Sequence, residues 1–331
     1  WFGRYAERAE FGLRMTRTLL LQAADHGSAN ARAQQQLLEA VVAISDSAVP
    51  LGHAQLDSTM ANHESVLLIA LDPRRRESLI GSVEAMLTCA EETKELMTYD
   101  TQRVINQIRD EARQLVDDLR HNMLSAPEDV LSPILTSLLA LSGILHENVN
   151  RGIGWSFLDL GRRLERGIQV AREIRTLLMQ TASPAEEHIS LESLLISNES
   201  LVFYRRLYRG GIELQNVLEL MLLDEDNPRG LLFQLNRLND RLGDLPPPTE
   251  GQRELTEEAR CLLESSSMLQ LARLDDLCRS DEVTGSRDQL LQTCQRIETL
   301  LNQTAVALAG HYFEKPIAPQ QLLRQRWELG E

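Results

Sequence analysis

Aromatic residues are scarce in this chain of 331 residues, in which Phe, Trp and Tyr together make up only 4 %. Long alternations of β-branched or aromatic residues, from which sheets are built, are missing as well. Leu, Ala, Glu, Arg and Gln dominate instead, and these residues favour helices. Because a chain of this length can bury a large core, we expect an all-α protein built as a helical bundle.

Cysteine is also rare, and its placement does not match the common metal and redox motifs. The four cysteines form no C-x-x-C pair and have no zinc-site spacing. The seven histidines are scattered, without the H-E-x-x-H or E-x-x-H spacing of metal-binding helices. We therefore expect free thiols, no metal site and a cytoplasmic protein, since cytosolic thiols stay reduced.

Several other functional classes lack their sequence signals. The patterns G-x-x-x-x-G-K-[ST], G-x-G-x-x-G and G-x-S-x-G do not occur, so we expect no cofactor. A net charge of −15 argues against a nucleic-acid partner. No signal peptide is visible, and the longest apolar runs fall short of the roughly 18 residues of a membrane span, so we expect no membrane contact.

Helical periodicity runs through almost the whole sequence, interrupted by short clusters of Gly, Pro and Asp. The chain begins with Trp1 rather than Met, inside the first periodic stretch, so we expect it to be a fragment of a longer protein. The pattern predicts helices at about 2–24, 32–48, 55–70, 74–97, 99–122, 128–147, 155–180, 190–207, 211–223, 228–243, 252–279 and 286–311.

An internal repeat is the strongest sign of organisation. Gly3–Leu20 aligns with Gly161–Leu178 at an offset of 158 residues, and nine of the eighteen positions are identical. We expect a first helical repeat over residues 1–150, a second over 151–312, and a C-terminal tail over 313–331. Two copies of one helical unit favour a single compact bundle whose halves are related by a pseudo-two-fold axis.

Both copies begin with the pattern G-R-x-x-E-R. A glycine inside a helix costs about 1 kcal/mol relative to alanine, so the matched Gly3 and Gly161 indicate close approach of another backbone. Arg and Glu three residues apart can pair along one helix. The spacing allows this for Arg4 with Glu7 and for Arg162 with Glu165.

The neighbouring Glu and Arg of each motif point about 100° apart around the helix, so they cannot pair with each other. Pseudo-two-fold symmetry offers a solution in which Glu7 meets Arg166 and Glu165 meets Arg8. Two interpretations of this centre remain open. Ion pairs could fix the register of two helices, or a polar pocket could bind a carboxylate or phosphate. The pocket would use Arg4, Arg8, Arg162 and Arg166, with Glu7 and Glu165 as orienting or acid–base groups.

Two further segments carry candidate binding residues. Asn227-Pro228-Arg229 predicts a helix start with Asn as N-cap and Pro at the first position. This segment is either an ordinary cap or an anion site in which Arg229 lies beside free N–H groups. Tyr204 and Arg205 belong to an aromatic and basic cluster, which is either a solvated helix face or a substrate or partner site.

Four segments of the chain match one known pattern. They are residues 1–10, with the first E-R pair, 154–166, with the second, 204–206 and 224–229. Together they resemble the alpha-E domain family, which is named for an all-helical fold with an E-R motif. One departure is that Glu91-Glu92-Thr93-Lys94 stands where the family commonly has an E-N-A-R-like stretch.

The resemblance implies an activity that has not been characterised. Such proteins look like companions of circularly permuted ATP-grasp amide ligases and of transglutaminase-like proteins, and they are sometimes fused behind the ATP-grasp domain. The resemblance therefore favours an accessory or substrate-binding domain of an ATP-dependent amide or peptide ligase. Two alternatives remain: a stand-alone enzyme that acts on peptides or amino acids through Glu7 and Glu165, and a purely structural scaffold.

Overall fold

The structure is a computed structural model that describes residues 1–26, 35–37, 39–41, 78–120, 127–246 and 254–313. Within these residues the chain is helical, and only an isolated bridge between Gln180 and Ser286 has β geometry. The longer helices are α1 (Phe2–His26), α2 (Leu79–Glu92), α3 (Tyr99–Arg120), α4 (Pro127–Asn148), α5 (Ile153–Leu178), α6 (Pro184–Ser197), α9 (Leu231–Gly243), α10 (Glu257–Gln270) and α12 (Asp288–Tyr312). The short ones are α7 (Leu201–Leu207), α8 (Leu214–Leu218) and α11 (Leu274–Cys278).

Most predicted helices are present, and the all-α prediction is confirmed. The predicted helix at 55–70 lies outside the described residues, as does nearly all of the tail. Of the predicted helix at 32–48, residues 35–37 and 39–41 are described, and they are helical. All four cysteines are free thiols, as expected.

Two helix predictions were wrong in their extent, and a third helix contains a turn of another kind. The single helix predicted at 190–207 is two helices, because Glu199 adopts a left-handed φ of 53° between α6 and α7. Helix α6 also begins earlier, at Pro184, where Ser183 and Glu186 form a capping box. The helix predicted at 252–279 is divided into α10 and α11, and the one at 211–223 continues from α8 into a π turn over Glu219–Leu223.

Helices α1 and α5 form the centre of the bundle. Helix α1 contacts α2, α4, α5 and α6, whereas α5 contacts α1, α6, α9 and α12. Helix α5 is buried along most of its length, and its buried residues include polar and charged side chains as well as aliphatic ones. The elements that carry the two G-R-x-x-E-R motifs are therefore the two central helices, packed on each other.

Helix α4 corrects the expectation about apolar runs. Within the described residues, the stretch Val130–Asn148 has a mean hydropathy of 1.4 over 19 residues and is long and apolar enough to cross a membrane. Pairs of Ser, Thr, Pro and Gly residues interrupt its apolar runs without lowering the mean hydropathy much. The same stretch is 39 % buried and packs on α1 and α3, and core helices of soluble bundles have the same composition.

Candidate functional site

The crossing of α1 and α5 is made close by the first glycine of each motif. A Cβ added at Gly3 would lie 2.2 Å from the carbonyl oxygen of Leu158, and one added at Gly161 would lie 3.3 Å from the backbone nitrogen of Arg4. Only glycine therefore lets the two backbones meet at Gly3, as the matched glycines indicate. The close approach brings the charged residues of each motif into reach of the other helix.

The predicted cross pairs are confirmed. Arg166 donates to both carboxylate oxygens of Glu7, with its Nη2 at 2.7 Å from Oε2. Arg8 donates to both oxygens of Glu165, with Nε at 2.7 Å from Oε1 and Nη2 at 3.0 Å from Oε2. Both pairs are two-point contacts, the geometry in which a guanidinium binds a carboxylate most strongly.

The pairs that the spacing allows along each helix are not formed. Arg4 donates its Nε to Glu165, at 2.9 Å, and not to Glu7 on its own helix. The Nε of Arg162 lies 3.6 Å from Glu7, and its Nη2 donates to Ser142 at 2.9 Å. Because both carboxylates are buried between the helices, each one is held by two arginines of the opposite motif.

The loop before α9 adds a fifth arginine to the same cluster. Arg229 donates to Glu10 at 2.7 Å, and its Nη1 lies 3.5 Å from Glu7. We call this group the E-R cluster. It consists of Arg4, Glu7, Arg8, Glu10, Arg162, Glu165, Arg166 and Arg229.

The arginines determine the ionisation of the two motif glutamates, which are each only 1 % exposed. Burial by itself would raise the pKa of Glu165, but Arg8 and Arg4 outweigh it and lower the pKa to about 2. Burial likewise opposes ionisation of Glu7, yet Arg166 and Arg162 hold the pKa of Glu7 well below its usual range. Both carboxylates are therefore anions at neutral pH.

The positive groups of the cluster crowd one another. Burial and the neighbouring Arg166 lower the pKa of Arg229. Burial, and after it Arg166, also lowers the pKa of Arg163, which lies beside the cluster, to about 10. Five arginines face three glutamates, so the cluster carries a surplus of positive charge inside a protein whose net charge is −15.

This geometry limits the chemistry of the cluster. A buried glutamate whose pKa is depressed and whose oxygens are held by arginines has no proton to donate and is a weak base at neutral pH. A pocket of about 60 Å³ opens beside Arg4 and is lined by Trp1, Phe157 and Phe313 among others. It has room for a small group rather than for a whole substrate. The arrangement suits the binding of an anionic end group better than acid–base catalysis.

The segment Asn227–Arg229 has a different structure from the predicted one. Helix α9 begins at Leu231 with Gly230 as its N-cap, so Asn227 does not cap a helix. Its side chain is buried, donates to the carbonyl of Leu220 at 3.0 Å and accepts from the backbone N–H of Arg229. Asn227 thus fixes the conformation of the loop that places Arg229 in the E-R cluster.

Tyr204 and Arg205 lie apart from the E-R cluster. Tyr204 is fully buried, and its hydroxyl donates to the carbonyl of Gly211 and accepts from the N–H of Glu213. Arg205 is exposed and donates to Glu192 at 3.3 Å. The structure therefore brings the predicted site residues together except for these two and Asn227, which acts through Arg229.

Some members of this centre were not predicted. Glu10 lies one helical turn after Glu7, and this i,i+3 spacing was the signal that could have revealed it. Gln169 donates to Glu165 at 2.9 Å from one turn further along α5. Two outlying glutamates, which have no sequence signal, each pair with two arginines. Glu199 pairs with Arg14 and Arg17, and Glu298 with Arg172 and Arg175.

Reciprocal Glu–Arg pairs join the two central helices of this bundle. This arrangement defines the class of protein, an all-helical domain with an E-R motif. The chain belongs to the Alpha-E family, described as a predicted alpha-helical domain with a conserved ER motif, whose model matches residues 1–313.

The relatives found by sequence are uncharacterized proteins. One from Mycobacterium tuberculosis strain H37Rv and one from Mycobacterium bovis are each 29 % identical over 338 residues. The match covers 97 % of this chain but only 37 % of the relative in both cases, so the chain spans little more than a third of their length. No solved structure matches the chain.

Proposed function

We propose that this chain is a cytoplasmic substrate-binding domain that acts with an ATP-grasp type amide ligase, fused or separate, and with a transglutaminase-like protein as a second partner. In this proposal the E-R cluster binds the anionic end of a peptide or related substrate. The observation that carries it is the surplus of arginine over glutamate at the cluster. In an acidic protein, that surplus offers guanidinium groups to one more anion.

Arg162 has the longest carboxylate contact of the cluster arginines, which leaves its guanidinium the most available for this role. Its contact with Glu7, at 3.6 Å, is longer than the two-point contact that Arg166 makes with the same carboxylate. Its removal therefore leaves Glu7 paired. The Arg162 side chain is 14 % exposed, so an anion at the edge of the cluster can reach it.

We also propose that the chain is internally duplicated, with halves 1–150 and 151–312 related by a pseudo-two-fold axis. Reciprocal contacts between the two motifs support this proposal. Gly3 and Gly161 each approach the other helix. Arg4 and Arg8 of the first motif pair with Glu165 of the second, and Arg162 and Arg166 of the second pair with Glu7 of the first. An experimental structure in which one half superposes on the other by a rotation near 180° tests this proposal.

The purely structural scaffold is the second candidate, because both motif glutamates are buried and fully paired. Such pairs can fix helix register without binding any ligand. The stand-alone enzyme is not proposed, because neither Glu7 nor Glu165 is in a state suited to proton transfer.

Two measurements separate the candidates. In the first, succinate is titrated into the chain and heat is recorded; we expect saturable binding that weakens at least tenfold in Arg162→Gln. The matched control is Arg113→Gln, an exposed arginine on α3. No binding of succinate, or equal binding by both variants, contradicts the anion site and favours the scaffold.

In the second measurement, an ATP-grasp ligase from the same organism receives MgATP, amino acids and short peptides, and ADP is measured with and without the chain. We expect the wild-type chain to accelerate ADP formation by the ligase. The Arg162→Gln variant should not accelerate it, whereas the Arg113→Gln variant should accelerate it as wild type does. Substrate turnover by the chain alone, or no acceleration, contradicts the accessory role.

A further inference from the structure

A cavity of about 730 Å³ lies at the end of α5 opposite the E-R cluster. Its wall is formed by the end of α10, by α11, by the loop 279–287 and by the first turns of α12. Met179 caps α5 beside this loop, thirteen residues after Arg166, which is about 20 Å at 1.5 Å per residue. The cavity is therefore separate from the cluster, and its volume falls in the range of ligand pockets, about 300–1,000 Å³.

The loop that forms one wall is held rigidly. The carboxylate of Asp281 accepts hydrogen bonds from the backbone N–H groups of Val283 and Thr284, at 3.0 and 2.7 Å. Gly285 adopts a left-handed φ of 68°, where a Cβ would lie 2.5 Å from the hydroxyl oxygen of Thr181. A wall fixed before binding lowers the entropy cost of holding a ligand.

The same loop is also tied to the end of α5. The backbone N–H of Thr181 donates to Gly285 at 2.8 Å, and that of Arg287 donates to Met179 at 2.8 Å. The Arg287 side chain, which is buried, donates to the carbonyl of Leu178. The cavity wall therefore has a fixed position relative to the central helix.

The cavity combines an apolar floor with a charged rim. Met268, Ala272 and the buried Leu277 provide the apolar surface. At the rim, Arg279 pairs with Asp276 at 2.9 Å. Arg273 also lies at the rim, and in the described part of the chain no carboxylate forms an ion pair with it.

The charges of the rim are mixed, and this favours a ligand that carries charges of both signs. Two arginines and three aspartates, Asp276, Asp281 and Asp288, line the cavity. A simple anion would be repelled by the aspartates, and a simple cation would leave Arg273 without a partner. A ligand with both a carboxylate and an ammonium group satisfies both kinds of charge.

We propose that this cavity binds a short peptide with free termini, whose carboxylate pairs with Arg273 and whose ammonium group lies near the rim aspartates. An apolar side chain of the peptide then covers the floor formed by Met268, Ala272 and Leu277. The proposal does not rest on the function proposed for the E-R cluster, because the chain alone is sufficient for binding.

The tripeptide Ala-Leu-Ala with free termini is the probe, and calorimetric titration is the measurement. We expect saturable binding to the wild-type chain and at least tenfold weaker binding of the C-terminal amide. The Arg273→Gln variant should bind the tripeptide at least tenfold more weakly than wild type does. It should also bind the free acid and the C-terminal amide of the tripeptide equally well. Arg260→Gln, an exposed arginine on α10, is the matched control and should bind like wild type.

Three results overturn the proposal. The first is no saturable binding of the tripeptide up to about 10 mM, the weak end of specific recognition. The second is equal binding by Arg273→Gln and wild type. The third is binding that is lost in Arg162→Gln but kept in Arg273→Gln, which would place the peptide at the E-R cluster and not in the cavity.

Discussion

At the scale of single residues, the buried carboxylates are of two kinds. Glu7 and Glu165 are held by arginines and stay ionised, whereas Glu173 on α5 receives hydrogen bonds, within the described segments, only from neutral groups. Ser197 and Asn198 donate to its two oxygens. Burial raises the pKa of Glu173 to about 8, because two neutral donors do not replace the lost hydration. Glu173 is therefore protonated in the folded protein at neutral pH.

This protonation makes stability depend on pH. Between pH 4.5 and 8 the unfolded chain releases the Glu173 proton and the folded chain keeps it, so stability falls as the pH rises. The loss is up to about 1.4 kcal/mol per pH unit. Glu173→Gln resembles the protonated acid and should remove this loss. In urea titrations from pH 5 to 8, we expect the free energy of unfolding of the variant to increase relative to that of wild type as the pH rises.

The control for this experiment is Glu84→Gln, an exposed glutamate on α2. Its unfolding free energy should follow that of wild type at every pH. Parallel curves for Glu173→Gln and wild type would show that Glu173 is ionised in the folded state.

The sequence supported the cross pairs but not every residue role. The repeat offset and the angle between neighbouring helix residues were sufficient to pair Glu7 with Arg166 and Glu165 with Arg8. The partner of Arg4 could not be deduced in that way, because pairing along the helix and across it satisfies the same spacing. The contacts of Glu173 with Ser197 and Asn198 depend on how α6 packs on α5, which no local pattern records.

At the scale of the elements, the central contact is the crossing of α1 and α5. Gly3→Ala places a Cβ against a backbone oxygen of α5, which can move only if the helices separate. We expect a loss of about 1–3 kcal/mol in the free energy of unfolding, the usual cost of overpacking. Thermal or urea unfolding measures it.

Gly143→Ala on α4 is the matched control, because a Cβ there meets no atom within 4 Å. It should stabilise the protein by up to about 1 kcal/mol, since alanine favours the helix. A Gly3→Ala variant as stable as this control would show that the two backbones are not in contact.

Helix locations were predictable, and their interruptions were less so. Periodicity placed α1, α3, α4, α5 and α12 within a few residues of their bounds. The breaks near Glu199 and between α10 and α11 were missed, because no Gly or Pro occurs at either position. At the first break, Arg14 and Arg17 bind Glu199 in its left-handed conformation.

At the scale of the whole molecule, charge is distributed unevenly. The chain carries a net charge of −15, yet its centre has more arginines than glutamates. Composition predicted the net negative charge, and it predicted that the described residues would form no sheet. It could not show where the arginines gather, because the centre draws on α1, α5 and the loop before α9, whose juxtaposition is a property of the complete fold.

The central claim is that reciprocal Glu–Arg pairs join α1 to α5. A double-mutant cycle of Glu7→Gln and Arg166→Gln, measured by urea unfolding, tests it most directly, with the symmetric cycle of Glu165→Gln and Arg8→Gln beside it. Breaking a buried pair costs about 3–5 kcal/mol. We expect each double variant to lose less than the sum of its single variants by about 2 kcal/mol. Losses that add to within about 0.5 kcal/mol in both cycles would contradict the account.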